Sequence, residues 1–115
     1  MISRAHRFHG YGSLRYAYRS GRTVRGPLFS VTSVLNPKRK SYRAAVVISR
    51  KVHKSAFARN RMRRRLYEII RGLESQIKQP HDIIVTVFHD TVIDTPSQNL
   101  SSQLKKQLRQ AGILS

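Results

Sequence analysis

Residues 59–73 read Arg-Asn-Arg-Met-Arg-Arg-Arg-Leu-Tyr-Glu-Ile-Ile-Arg-Gly-Leu. Met62, Leu66, Ile69, Ile70, Leu73 and Ile77 recur at the i, i+4, i+7, i+8, i+11, i+15 spacing of a helix with one buried stripe. On the same wheel Asn60, Arg61, Arg64, Arg65, Glu68 and Arg71 take the opposite side, with Arg59 near the apolar arc in the first turn. Five arginines in seven residues repel one another at helical spacing. A chain that keeps them has a polyanion to lay them on. One face of this helix therefore builds a core, and the other is offered outward.

The flanking sequence supplies the rest of that core. Ser55 stands where a side-chain cap would start the basic helix, and Gln79-Pro80 stops it. Upstream, Leu28–Leu35 has strand composition after the Gly26-Pro27 turn, and Tyr42–Ser49 follows a charged Asn36–Lys40 turn. These two segments read as the arms of a hairpin. Asp82–Phe88 is apolar on both faces, as a central strand is. Ser13 could cap a short helix over Leu14–Arg19, ended by Ser20-Gly21. Thr95-Pro96 reads as an N-cap and first-turn proline, and Leu100, Leu104, Leu108 and Ala111 stripe a last helix ended by Gly112. Residues 1–12 read as a flexible basic arm. With 115 residues, no repeat and no linker, the chain is expected to be one α+β domain of helices packed on a sheet.

Charge is divided sharply along the chain. No Asp or Glu precedes Glu68, and residues 1–67 hold 18 of the 23 Lys and Arg. Residues 68–115 carry the other five cations and all five acids, so the net charge of +18 belongs to the first 67 residues. The pI of about 11.7 exceeds the value near 9 that marks a nucleic-acid-binding domain. No stretch approaches the roughly 20 apolar residues of a transmembrane span, so no membrane role is expected. The N-terminus lacks the apolar core of a secretory signal, and there is no cysteine for a disulfide or thiolate site. A cytoplasmic protein is expected. No helix-turn-helix or zinc-ligand pattern argues for duplex DNA, whereas a broad basic surface suits structured RNA.

Catalytic groups are sparse. Glu68, Glu74, Asp82, Asp90 and Asp94 are scattered, so a carboxylate cluster for a metal-dependent nuclease is not expected. His6, His9, His53, His81 and His89 could in principle give a metal-free ribonuclease its acid and base, with His53 and His89 flanking elements that could meet. Among the aromatics, Phe29, Tyr42 and Phe88 read as core, while Tyr16 and Tyr18 read equally as core or as nucleic-acid contacts.

Arg50-Lys51-Val52-His53-Lys54, then Ala56, then Arg59-Asn60-Arg61-Met62-Arg63-Arg64 with Glu68 closing the block, resembles the signature of the bacterial ribonuclease P protein subunit. The likeness extends to a Leu/aromatic pair ahead of Gly21, to the Asp82–Val85 strand, and to a terminal helix ending in Ala-Gly. The resemblance implies a two-layer sandwich of a four-stranded sheet and three helices in the order αβββαβα, with a left-handed βαβ crossover, like certain ribosomal-protein domains. It implies the catalytic RNA subunit as partner, one protein per RNA, and precursor tRNA as substrate. The reaction would be removal of the 5′ leader, with Mg²⁺ held mainly by RNA phosphates. By the same resemblance Arg50, Lys51, Lys54, Arg59, Asn60, Arg61, Arg63 and Arg64 would contact the RNA subunit. Leu14, Tyr18, Ser30 and Thr32 would line a cleft for the single-stranded leader. Leu14 and Thr32 stand where the family usually has aromatics. The runner-up is a basic ribosomal or RNA-chaperone protein with no catalytic partner.

Overall fold

The computed structural model describes His6 and residues 11–114, apart from the side chains of residues 11–14. The rest of the expected arm lies outside the described residues. Three α-helices and four strands follow in the order α1 (Tyr11–Ser20), β1 (Arg22–Arg25), β2 (Phe29–Leu35), β3 (Arg43–Val47), α2 (Ala56–Leu73), β4 (His81–Val87) and α3 (Ser97–Gln110). This is the expected αβββαβα order. The strands form one mixed sheet, β1-β2-β4-β3.

The apolar segment from Asp82 takes the central place its composition demands. On one side β4 pairs antiparallel with β2, from Phe29 opposite Val87 to Leu35 opposite His81; on the other it pairs parallel with β3. The expected hairpin between the second and third strands is therefore corrected. Residues 36–42 carry the chain past β4, which inserts between the two arms, and α2 makes the crossover back. Asp82 holds this arrangement. Its carboxylate is buried and accepts Arg43 Nε and Nη2 at 2.9 and 2.8 Å, and Asn36 Nδ2 at 3.2 Å. The true hairpin is β1–β2 around Gly26-Pro27. Gln107 of α3 braces it, with Nε2 donating to the carbonyls of Val24 and Phe29 at 3.1 and 2.9 Å. A Cβ on Gly26 would fall 2.3 Å from Gln107 Oε1, so a larger residue there would push the Gln107 amide out of this brace.

The sheet's two faces divide by strand alternation. Phe29, Val31, Ala44, Val46, Ile83, Val85 and Val87 pack under α2 and α3, against Met62, Leu66, Ile70, Leu100, Leu104 and Leu108. This is the main core, and it contains the stripe read from the sequence. Tyr67 also joins it, accepting a hydrogen bond from the Val46 amide at 3.1 Å. On the opposite face α1 lays Ala17 on a smaller cluster with Ala45 and Ile84. Ser30 and Thr32 on that face are also buried, while Tyr18 of α1 stays exposed at its rim.

Element ends differ in detail from the sequence reading. α1 begins at Tyr11, so Ser13 lies inside it rather than capping it. α2 closes at Leu73 and passes into a 3₁₀ turn over Glu74–Gln76 before buried Ile77. That turn is tied by Tyr42, whose hydroxyl donates to Glu74 Oε2 at 2.8 Å. Burial first, then the Glu74 carboxylate, push the Tyr42 phenol above its ordinary range. Thr95 does not cap α3; its hydroxyl donates to the Thr91 carbonyl at 2.6 Å, and Pro96 takes the cap position. Gly112, at φ 79°, ends α3 as expected.

Candidate nucleic-acid interface

The basic surface is assembled at the start of α2. Ser55 is the N-cap, its Oγ accepting the Ala58 amide at 3.2 Å. The first turn contains no acid, so the partial positive charge of the helix terminus adds to the arginines instead of being neutralised. Arg59 turns back on the preceding loop, its Nη1 donating to the carbonyls of His53 and Lys54 at 2.8 and 2.9 Å. These bonds hold the end of the loop to the first turn, and Arg50, Lys51 and Lys54 along it are all exposed. Arg61 and Arg64 are exposed, and Arg63 Nη1 donates to Asn60 Oδ1 at 2.7 Å. Of the eight residues expected to bind an RNA subunit, Asn60, Arg63 and Arg64 border one hollow with Phe57, and Arg50, Lys51 and Lys54 border another with Asp90. Arg59 ties the loop to the start of α2 through Nη1.

Arg65 belongs elsewhere. The helical wheel placed it on the outward face, but its Nη1 donates to the carbonyls of Val92 and Ile93 at 2.6 and 2.8 Å, and its Nη2 reaches the Thr95 carbonyl. It fastens α2 to the 3₁₀ turn at Asp90–Ile93. No sequence pattern marks those carbonyls as acceptors, because backbone oxygens are the same in every residue.

A second surface lies on the sheet face that α1 leaves open. Tyr18 is 46% exposed, and its hydroxyl shares a 2.8 Å hydrogen bond with Thr86 Oγ1 on β4. Ser30 pairs with Thr86 across the β2–β4 ladder, so these three converge. Thr32 is 1% exposed and shares a 3.0 Å hydrogen bond with Thr23. Ser30 is likewise buried, and the side chain of Leu14 lies outside the described residues. Phe88, expected in the core, is 37% exposed instead, with the Arg25 guanidinium 4.8 Å from its ring centroid. Arg25 pairs with Ser30, which puts the cation and ring on the same face as Tyr18. This pair was hidden because β1 is four residues with one apolar side chain and does not register as a strand.

His53 Nδ1 accepts the Ser55 amide at 3.1 Å, His6 stacks on Tyr42 with centroids 4.3 Å apart, and His81 lies against the C-terminal segment around Gly112–Leu114. His9 is outside the described residues. Among the described residues no cluster of three His, Asp or Glu side chains could hold a metal, and Asp82 and Glu74 are already engaged by Arg43 and Tyr42. No described helix is long and apolar enough to cross a membrane.

A ribonuclease P family model matches residues 2–112 of this sequence. The chain belongs to the ribonuclease P protein family. It is 34% identical over 113 residues to the ribonuclease P protein component of Chloroflexus aurantiacus, covering 98% of this chain and 82% of that one. To the component from Pseudanabaena sp. it is 38% identical over 98 residues, 84% of this chain and 83% of the relative. Its fold matches the Staphylococcus aureus RNase P protein with a TM-score of 0.84 at 23% identity, covering 96% and 98% of the two chains. The Thermotoga maritima RNase P protein matches at 0.80 and 20% identity, covering 90% and 96%. Membership makes the chain a protein component of ribonuclease P, the ribonuclease that processes tRNA precursors, with an RNA subunit as its partner. The ribosomal or chaperone alternative is set aside by that membership.

Proposed function

We propose that this single RNA-binding domain docks on the ribonuclease P RNA subunit through the first turns of α2 and the Arg50–Lys54 loop, one protein per RNA, and acts in the cytoplasm. Beside α1, the open sheet face holds the single-stranded 5′ leader of precursor tRNA. The observation that supports the reading is the run of exposed cations, Arg50, Lys51 and Lys54 on the loop and Arg61 and Arg64 on α2, leading into and along a helix whose first turn holds no acid. Arginine forks grip phosphate with paired hydrogen bonds and keep their charge at every working pH. Tyr18, Arg25 and Phe88 support the leader reading, since rings beside cations are what single strands bind without sequence preference. Ser30 and Thr32 shape the floor between them, and Leu14 belongs to the helix that walls it.

The donor set of the protein does not fit Mg²⁺, which favours several free carboxylate oxygens and waters. In this reading the ion stays with the RNA phosphates. The protein's part is to neutralise phosphate repulsion where RNA subunit and substrate meet, so that less Mg²⁺ is required. Reconstitution tests it. Precursor tRNA is incubated at low Mg²⁺ with the RNA subunit, the protein, or both. Leader removal by the pair alone is expected, and cleavage by the protein alone would overturn the reading.

A further inference from the structure

We propose that Phe57 is a stacking platform for an unpaired base of the RNA that lies on α2. The inference rests on the reading of α2 as the RNA interface and adds a ligand class to it, a nucleobase rather than a phosphate. Phe57 is 72% exposed, the most exposed large apolar side chain among the described residues. A lone exposed apolar residue means nothing by itself. This one stands at the head of a stripe with Asn60, Arg61 and Arg64, at the i, i+3, i+4, i+7 spacing of one helix face. With Asn60, Arg63 and Arg64 it lines an open pocket of about 420 Å³. The Arg63 guanidinium is fixed by Asn60 Oδ1, which gives the pocket a set wall.

The ring does not act in folding. A hydrophobic staple across the N-cap would use the residue before Ser55, which is Lys54, and the core beneath α2 is filled by Ala58, Met62 and Leu66. Its surroundings select its occupant. The pocket carries arginines and no carboxylate, so an acidic or polyanionic partner is favoured. Nucleic acid combines anionic groups with flat apolar faces, and the partner this family supplies is RNA. Phosphates held by Arg61 and Arg64, one and two turns along, would leave a neighbouring base over the ring.

The chain has no tryptophan, so Phe57→Trp gives a single reporter at the site. Titrated with the ribonuclease P RNA subunit, its fluorescence should quench along the binding isotherm, with affinity retained. Phe57→Ala should weaken binding about 5- to 150-fold, the range of one stacked base. Phe57→Leu should lose nearly as much, because it keeps apolar area without a π-face. The slope of log affinity against log salt should stay unchanged in both, since no charge is removed. Arg61→Ala with Arg64→Ala serves as the control for the interface itself. Weak binding by that double variant beside wild-type affinity for Phe57→Ala would overturn the stacking role while leaving the interface. Normal binding by all of them would overturn both. Full rescue by leucine, or a tryptophan signal that depends on protein concentration without RNA, would make the ring a hydrophobic contact and likewise refute the proposal.

Discussion

Replacing Arg65 with alanine separates the two uses of arginine in the basic helix. A residue from the middle of an arginine run would ordinarily be assigned to the nucleic acid. In this fold its guanidinium spans the carbonyls of Val92, Ile93 and Thr95, and holds the turn whose Val92 side chain is fully buried in the core. Hydrogen bonds to a charged donor are worth about 1.5–3 kcal/mol each. The site is partly exposed and the released carbonyls recover some water, so the loss corresponds to one or two bonds, about 2–4 kcal/mol. For a chain of this size that lowers the melting temperature by on the order of 10 °C. Arg65→Lys should recover little of it, because an ammonium cannot reproduce the planar fork. Binding of the RNA subunit, measured from low to moderate salt on the folded variant, should keep the wild-type salt slope. Arg64→Ala should flatten that slope by about one unit and leave the melt unchanged. If Arg65→Ala melts like the wild type and flattens the slope as Arg64→Ala does, the inward placement of this side chain is wrong.

Leu66→Ala should cost about 2–5 kcal/mol in a urea titration, as a large-to-small change at a fully buried position, and refolded material should bind RNA normally. His81 is held below its ordinary 6.5 by burial, so the folded state resists its protonation. Its contribution is therefore complete above about pH 6.5 and declines as pH falls below that value, and His81→Gln should flatten the urea midpoint between pH 7 and 5. His53→Asn combined with His89→Gln should leave reconstituted leader removal within about threefold, because a general acid or base would contribute 10²–10⁴-fold. Tyr18→Ala should weaken binding of leader-bearing precursor by about 1–3 kcal/mol and of mature tRNA hardly at all, read from the two dissociation constants.

Where the sequence is legible, two independent signals coincide. α2 announces itself by period and by cap, and Ser55, Met62, Leu66 and Ile70 all stand where the pattern puts them. β4 is recognisable as central because both its faces are apolar. Pairing is not legible in the same way. Nothing in Leu28–Leu35 or Tyr42–Ser49 says that a strand 35 residues downstream will come between them, since neighbours in sequence are the default partners. The clamp that fixes the result, Arg43 and Asn36 on Asp82, spans 39 and 46 residues and uses ordinary residue types. β1 carries no strand signal in its sequence because an edge strand needs little apolar surface, and the Arg25–Phe88 pair depends on it.

The arginine block shows why charge pattern predicts a partner better than it predicts contacts. Arg59 and Arg65 stand at the two ends of the run, and each spends its fork on backbone carbonyls, the one at 53–54 and the other at 92–95. Between them, Arg61 and Arg64 stay exposed. A guanidinium on a long stem reaches backbone on either side of its helix, so the angular position of its Cα does not settle where the charge goes. The inward pair still serves binding. Each anchors a loop whose own groups, Lys54 on one side and Asp90 on the other, line the same basic hollow as Arg50 and Lys51. Fixing those loops before RNA arrives lowers the ordering cost that flexible cationic side chains and segments would otherwise impose on association. Two arginines of the run thus fix loops through backbone carbonyls, and on the proposed reading the exposed cations meet phosphate on a surface already in place.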